Sequence, residues 1–239
     1  MILRPTSSVF CFPSSVFRPH IFTIFISKIP MSKIDSEIIL PEPRLDNTKS
    51  LADALKARRT IREIRDKRLS LQMLSNLLWS AFGVNRQQGP FGIPGRTAAS
   101  ASNSQEIDIY VVFPEATYVF DPFDHKLVLV VTGDLRLLTI GPGQSETMAG
   151  VPVCLVYVAD INRLVNTSGF KEPGLKDPEV QKSYYFVDTG LIAGNVSLFA
   201  ASEGLSAWFH NCNKPALTEK LKLRSDQRVL FGQTVGYSA

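Results

Sequence analysis

Three arginines and a threonine fall within five residues of this sequence, in residues 58–62. Guanidinium groups bind phosphate through paired hydrogen bonds and keep their charge, so a phosphate-bearing ligand is one interpretation. A solvated basic surface turn is the alternative, and spacing alone favours it. The candidate side chains are Arg58, Arg59, Thr60 and Arg62.

A second polar segment, residues 96–105, is rich in short hydroxyl and amide side chains and comes directly before a predicted strand. Such a segment can bind the polyol and phosphate of a cofactor through its side chains and its backbone. An ordinary Ser/Asn turn has the same composition, and taken singly the turn is the better interpretation. The candidate positions are Ser100, Ala101, Ser102, Asn103 and Gln105.

The elements that must position these residues begin with helices. Apolar residues at helical spacing predict helices at residues 50–58 and 70–83, ahead of any strand, and a polar loop at residues 87–104 follows. The later elements show no regular βαβ alternation, so the predicted class is α+β. They are strands at 107–113, 117–120, 127–131, 153–158, 207–209 and 228–235, and helices at 134–139, 184–204 and 215–223.

The predicted helix at residues 184–204 is apolar nearly all round. Its few polar residues, among them Asp188 and Asn195, argue against a membrane span. Small residues at helical spacing permit close approach by another helix. We therefore predict that it is a central core or dimer helix. The small residues are Gly190, Gly194, Ser197 and Ala201.

The composition limits the class of protein and the kinds of partner that are expected. A chain of 239 residues that is 44% hydrophobic and 20% charged can bury one substantial core. The formal net charge is +4, but residues 1–30 hold three basic residues and no acid, which leaves 23 basic against 22 acidic residues, or +1, for the body. Nucleic acid is therefore not the expected partner. Cys154 lies within an apolar strand, where an inert buried thiol is expected.

The acid-free segment of residues 1–30 differs from the rest of the chain and is excluded from the fold. Two interpretations stay open: an organellar transit peptide, or a start of translation at Met31 with a cytoplasmic product. Residues 31–48 suit an extended N-terminal arm. Residues 49–239 are predicted to form the functional domain.

Several segments together resemble the nitroreductase family, in particular a short bacterial branch of it. They include the RRTIR stretch at residues 58–62, the LSNLLWSA stretch at 74–81, the RTAASASNSQEI stretch at 96–107 and the QTVGY stretch at 233–237. The ordered combination is far more specific than any one motif. The resemblance covers about residues 48–237.

The resemblance implies a nitroreductase-like fold, with a central, mostly antiparallel sheet flanked by helices. It also implies a homodimer, formed through long helices, with two FMN sites built from both subunits. Arg58 and Thr60 would serve the flavin phosphate and ribityl chain, with Arg59 beside them, and Arg62 would face N1 and O2 and stabilise reduced flavin. Ser100, Ser102 and Asn103 of the partner subunit would line the cofactor.

The resemblance also places a backbone N–H near flavin N5, just after the strand that follows the long helix. His210 and Asn211 are the candidates there, and His210 is also considered as a proton donor, although a backbone or packing role is favoured. Many relatives have a basic pair beyond the last strand that completes the phosphate site. This chain lacks that pair, and Lys222, Arg224 and Arg228 stand as its potential replacements.

The function implied is an FMN-dependent oxidoreductase that passes hydride from NAD(P)H to a nitro compound, quinone or enone by a ping-pong mechanism. The alternatives are a flavin-dependent azoline dehydrogenase acting on a modified peptide, and a non-catalytic FMN-binding or storage protein. A structural or interaction protein without flavin is the remaining hypothesis. The sequence has no Rossmann motif from which a preference for NADH or NADPH could be read.

Overall fold

A computed structural model of the protein describes residues 34–45, 49–141, 151–170 and 173–239. The segment of residues 1–30, whose role the sequence left open, lies outside the described residues. The helices are α1 (Leu51–Ala57), α2 (Leu71–Phe82), α3 (Ile161–Val165), α4 (Pro178–Glu203) and α5 (Lys214–Lys220). The strands are β1 (Glu37–Ile39), β2 (Val84–Arg86), β3 (Gly95–Arg96), β4 (Ile107–Val112), β5 (Ala116–Asp121), β6 (Lys126–Thr132), β7 (Cys154–Asp160), β8 (Leu205–His210) and β9 (Gln227–Tyr237).

Seven of these strands form one sheet in the order β1-β6-β5-β4-β7-β9-β8. Every neighbouring pair in the described part of that sheet is antiparallel. The strands β4, β5 and β6 form the predicted meander. The prediction of an α+β fold with a mostly antiparallel central sheet is therefore confirmed, and β8 is left as an outer strand with one open edge.

Two hydroxyl caps set the first helices where the sequence predicts them. The Ser50 side chain accepts a hydrogen bond from Asp53 N at 3.2 Å, and Ser70 accepts one from Met73 N at 3.1 Å. The second helix ends at Gly83, as predicted. Because α1 ends at Ala57, the arginine-rich segment begins where helical hydrogen bonding stops.

The helix α4 is longer than predicted. It begins at Pro178 behind the Asp177 cap, whereas the apolar pattern placed its start at residue 184. The first two turns carry charged residues such as Glu179 and Lys182, which dilute the apolar signal. Its end at Gly204, in the left-handed region with φ 70°, is as predicted.

Other short elements were missed or misjudged. The strand β1 lies within the predicted arm of residues 31–48, and β3 lies within the predicted loop of residues 87–104. The short helix α3 follows β7 directly. The predicted helix at residues 134–139 is a single 3-10 turn at Arg136–Leu138. Such elements are too short for a periodic signal, and the strand that pairs with β1 is distant in sequence.

The sheet has an apolar core on each face. Helices α2 and α4 cover one face, where Leu77, Leu78 and Ile192 are fully buried. The other face packs around Trp208 and Leu217, the latter from α5. This two-sided burial holds β8 rigidly while its outer edge stays open.

Candidate functional site

The arginine-rich turn, residues 58–62, docks against the start of β8. The backbone N–H of Ile61 donates to the carbonyl oxygen of Ala207 at 3.1 Å. Arg58, Arg59, Thr60 and Arg62 are all exposed. The turn therefore has a fixed backbone and side chains that face solvent.

The guanidinium of Arg62 lies over the ring of Trp208, with Cζ 5.2 Å from the ring centroid. Trp208 is only 5% exposed, so it provides a rigid surface for the cation. The Trp208 ring in turn lies 4.5 Å, centroid to centroid, from the ring of His210. The structure thus brings the predicted residues Arg62 and His210 into contact with one tryptophan.

The His210 imidazole is occupied by internal partners. Its Nε2 lies 2.8 Å from the Thr234 hydroxyl, and its Nδ1 lies 3.1 Å from the carbonyl oxygen of Asn211. Burial lowers the pKa of His210 below its ordinary value, which favours the neutral ring. These contacts favour the packing role over proton donation.

The direction of the backbone groups along β8 distinguishes the two N–H candidates. The carbonyl of Ala207 points to the open edge, since it accepts from Ile61, and backbone groups alternate between the two edges of a strand. His210, opposite Gly232 of β9, therefore directs its N–H into the sheet. Phe209 and Asn211 direct theirs to the open edge. Of the two predicted candidates, Asn211, the residue directly after β8, is the one whose N–H this alternation assigns to the open edge.

The second polar segment is a tightly bonded loop. Ser102, Asn103 and Gln105 all have positive φ, at 48°, 55° and 52°, a conformation that costs energy in residues other than glycine. The Ser100 hydroxyl accepts from Gln105 N at 3.0 Å, and the Gln105 amide donates to Asn103 Oδ1 at 2.9 Å. Ser100, Ala101 and Ser102 are half-buried.

Gln105 has a supporting position within this loop. Arg96 Nε donates to its side-chain oxygen at 2.6 Å, and its amide nitrogen donates to the carbonyl of Pro94 at 2.7 Å. Its side chain is 5% exposed. Gln105 therefore holds the loop, while the half-buried Ser100 and Ser102 remain the better placed for a ligand.

A single chain does not bring the arginine-rich turn and the loop together. The loop leads into Ile107, which pairs through Ala159 with Arg228 of β9, whereas the turn lies at Ala207, which pairs with Val235. Seven residues of strand and three strand spacings separate these points, which corresponds to roughly 25 Å. The two candidate segments therefore lie toward opposite ends of the strands, one at the central strand β4 and the other at the edge strand β8.

Two of the basic residues considered for the phosphate site, Arg224 and Arg228, are also distant from the arginine-rich turn. Arg224 pairs with Asp160 at 2.7 Å and with Asp226 at 3.1 Å. Arg228 lies at the start of β9, seven residues from the position opposite Ala207. Neither side chain reaches the arginine-rich turn of its own subunit.

One face of α4 is uncovered within the described chain. Val187 is 59% exposed and Leu191 is 45% exposed. A Cβ added to Gly190 or Gly194 would meet no atom within 4 Å. The small residues predicted to admit a second helix are thus uncovered at two positions, and apolar side chains flank them.

The two described cysteines are free and buried, and burial was predicted for Cys154. Burial raises the pKa of both Cys154 and Cys212 to about 11. Within the described ranges, no three His, Cys, Asp or Glu side chains are grouped to hold a metal ion. No described helix has the length and apolar character needed to cross a membrane.

Sequence reasoning missed one polar cluster. Glu106 is fully buried and lies beside Asp188 of α4, which is 4% exposed. The signal for Asp188 was visible, as a lone carboxylate in an apolar helix. Its partner was not, because 82 residues separate the two and only the fold joins them.

Comparison with known proteins decides the family. The model of the nitroreductase family matches residues 55–237. The chain belongs to the nitroreductase family. A protein of Methanocaldococcus jannaschii named as a nitroreductase is 28% identical over 176 residues, covering 71% of this chain and 80% of that protein. The resemblance inferred from the sequence is thereby confirmed.

Solved structures agree with this nitroreductase assignment. A crystal structure of a protein described as a nitroreductase from Ralstonia eutropha has a TM-score of 0.72 and 33% identity, over 86% of this chain and 90% of that one. The NADPH:FMN oxidoreductase of Vibrio harveyi has a TM-score of 0.52 and 18% identity, over 79% of this chain and 68% of that one. The second similarity concerns the fold alone. Membership of the nitroreductase family supports an oxidoreductase.

Proposed function

We propose that the protein is an FMN-dependent oxidoreductase that works as a homodimer and moves hydride from NAD(P)H to a small organic acceptor, a nitro compound, quinone or enone. The observation that carries the proposal is the arginine-rich turn docked on the open edge of β8, in a chain of the nitroreductase family. Residues 49–239 would form the cofactor-binding domain. A fold neighbour from Vibrio harveyi is named as an NADPH:FMN oxidoreductase, which agrees with this choice of cofactors.

The donors at the turn fit a flavin. Arg58 and Arg59 offer exposed guanidiniums for a phosphate, and Thr60, which follows them in the turn, offers an exposed hydroxyl. No carboxylate lies within residues 58–62 to compete for these cations. Arg62, held over Trp208, would supply positive charge to the pyrimidine edge, and the Asn211 N–H would donate at the opposite side.

When bound, FMN would supply the redox chemistry for hydride transfer from a reduced nicotinamide to an acceptor, and Arg58, Thr60 and Arg62 would hold it. The chain orients the ring and compensates charge. The fixed cation at Arg62 favours a negatively charged reduced state without any rearrangement, which is electrostatic preorganisation. The His210 ring braces Trp208 rather than moving a proton.

A second subunit is part of this proposal because one subunit leaves the site incomplete. The loop of residues 100–105 lies roughly 25 Å from the turn of its own chain, too far to share one cofactor. The uncovered face of α4, with Val187, Gly190, Leu191 and Gly194, offers the surface for a second copy. We propose that pairing through α4 places the loop of one subunit beside the turn of the other.

Subunit complementation tests this arrangement. The variant Arg58→Ala impairs the turn, and Ser102→Asp places a negative charge in the loop while keeping a residue type that tolerates positive φ. We expect each purified variant to bind little FMN. After mixing, unfolding and refolding together, random pairing should restore about one quarter of the sites, since one site in each mixed dimer is intact.

Control experiments distinguish a shared site from incomplete refolding. Refolded wild-type protein must recover full FMN binding, and each variant refolded alone must stay low. If the mixture binds no more FMN than the separate variants, the site is not shared between subunits. If both variants bind FMN as wild type does, these residues do not form the site.

A further inference from the structure

The buried carboxyl pair Glu106 and Asp188 carries an inference about the loop of residues 100–105. The two carboxyl groups are hydrogen-bond neighbours in a space where Glu106 is 0% exposed and Asp188 is 4% exposed. Two buried carboxylates side by side repel each other, and burial alone disfavours their charge. The pair therefore favours a state with one proton.

The hydrogen-bond pattern locates that proton. Asp188 Oδ2 accepts the backbone N–H of Ala101 at 2.8 Å, which suits a charged carboxylate. Glu106 Oε2 accepts the Ser104 hydroxyl at 2.6 Å. Glu106 Oε1 is buried and has no donor among the described residues. A proton on the Glu106 carboxyl lets that group donate to Asp188, its hydrogen-bond neighbour.

Among the described residues, no cation pairs with the Glu106 carboxyl. Arg96 is engaged with Gln105 Oε1. Arg163 donates to the backbone carbonyl of Glu106 but directs its charge to Asp108, at 2.6 Å, and to Asp160. Asp188 is the only charged residue of α4 that interacts electrostatically with the Glu106 carboxyl.

We propose that Glu106 and Asp188 share one proton, and that this proton latches the loop of residues 100–105 onto α4. The pair holds the loop through two hydrogen bonds: Asp188 accepts from the Ala101 N–H, and Glu106 accepts from the Ser104 hydroxyl. Between those two hydrogen bonds lie Ser102 and Asn103, whose positive φ angles need outside support. Losing the proton leaves two adjacent buried carboxylates, which releases the loop. Glu106 and Asp188 are thus positioning residues.

The direction of the pH dependence follows from the folded state. Burial, then the neighbouring Asp188 carboxylate, raise the pKa of Glu106 to about 7. A group whose pKa is raised on folding stabilises the latched state at low pH and loses that contribution as pH rises through the folded pKa. The latch should therefore weaken by about tenfold between pH 6 and pH 8.5.

Amide hydrogen exchange in flavin-free, full-length protein measures the latch directly. We expect the protection factor of the Ala101 N–H, corrected for intrinsic exchange, to fall about tenfold from pH 6 to pH 8.5. The core amide of Val156 should keep its protection, which distinguishes loop release from unfolding. In Glu106→Gln the amide donates to Asp188 at every pH, so protection at Ala101 should stay constant.

Two further variants complete the design. Glu219→Gln removes a charge at an exposed position and should leave the fall at Ala101 unchanged. Asp188→Asn can accept from Ala101 and donate to Glu106. It should reduce the fall, because the neighbouring carboxylate is removed while Glu106 stays buried, and it serves if Glu106→Gln does not fold. Constant protection in the wild type, or an undiminished fall in a folded pair variant, would overturn the latch.

A second readout rests on the proposed function. FMN affinity of the wild type, taken relative to Glu106→Gln, should fall over the same pH interval, because a released loop binds the cofactor less well. If the protection factor of the Ala101 N–H falls with rising pH but FMN does not bind, the proposed function fails and the latch stands. If FMN binds while protection stays constant, only the latch fails.

Discussion

The guanidinium of Arg62 is stacked over Trp208, 5.2 Å from its ring centroid, at the open edge of the outermost strand β8. Trp208 is itself fixed by burial and by the ring of His210. A long, flexible cation is thereby held at one place before any ligand arrives. This fixed charge underlies the first prediction.

Replacing Arg62 with Gln should make the two-electron reduction potential of bound FMN more negative by roughly 20–60 mV, because a cation that stabilises the reduced state is lost. Spectroelectrochemical titration of the flavoprotein measures this shift. Arg65→Gln, an exposed arginine three residues along the chain, is the matched control and should leave the potential unchanged. Equal potentials in wild type and Arg62→Gln would remove Arg62 from the site.

Replacing Arg58 with Ala should weaken FMN binding by about tenfold or more, because a charge-assisted hydrogen bond to phosphate is lost. Binding of riboflavin, which has no phosphate, should be unaffected. Fluorescence titration with both flavins provides the comparison, with Arg86→Ala on β2 as a control. An equal loss for both flavins would show that Arg58 does not bind the phosphate.

A charge on the uncovered face of α4 should block pairing of subunits. We expect Leu191→Glu to shift the protein from dimer to monomer and to lower FMN content, because the charge would be buried against the partner. Light scattering after size exclusion gives the mass. Leu137→Glu alters another exposed leucine, at 62% exposure, and should remain dimeric. A dimeric Leu191→Glu protein would place the interface elsewhere.

The buried thiols should resist alkylation. With the pKa of Cys154 and Cys212 raised to about 11, on the order of one thiol in a thousand is ionised at pH 8. Iodoacetamide should therefore leave both unmodified in native protein and modify both in denaturant, as seen by peptide mass mapping. Rapid native labelling of Cys154 would contradict its burial within β7.

Local signals predicted most of the fold. The caps at Ser50 and Ser70 and the apolar run of β7 depend on neighbouring residues, so their positions were correct. The strand β1 was missed because its only signal is pairing with β6, about ninety residues away in sequence. The start of α4 was placed late because charged residues mask its first turns.

The candidate site, like the fold, was predictable from local sequence only in part. The composition of residues 58–62 and 96–105 identified two polar segments, and motif order related them to one family. Their separation within one subunit, and the choice of Asn211 over His210 as the edge-facing donor, depend on strand register. The contact between Glu106 and Asp188 depends on how α4 crosses the sheet, which no local pattern encodes.

The visible spectrum of the purified protein, recorded anaerobically before and after addition of NADPH or NADH, tests the central claim most directly. We predict flavin absorbance that bleaches within seconds and returns when a quinone or nitro compound is added. Flavin that binds and stays oxidised would contradict the oxidoreductase and favour storage. Absence of flavin, even after reconstitution with FMN, would contradict the proposed site itself.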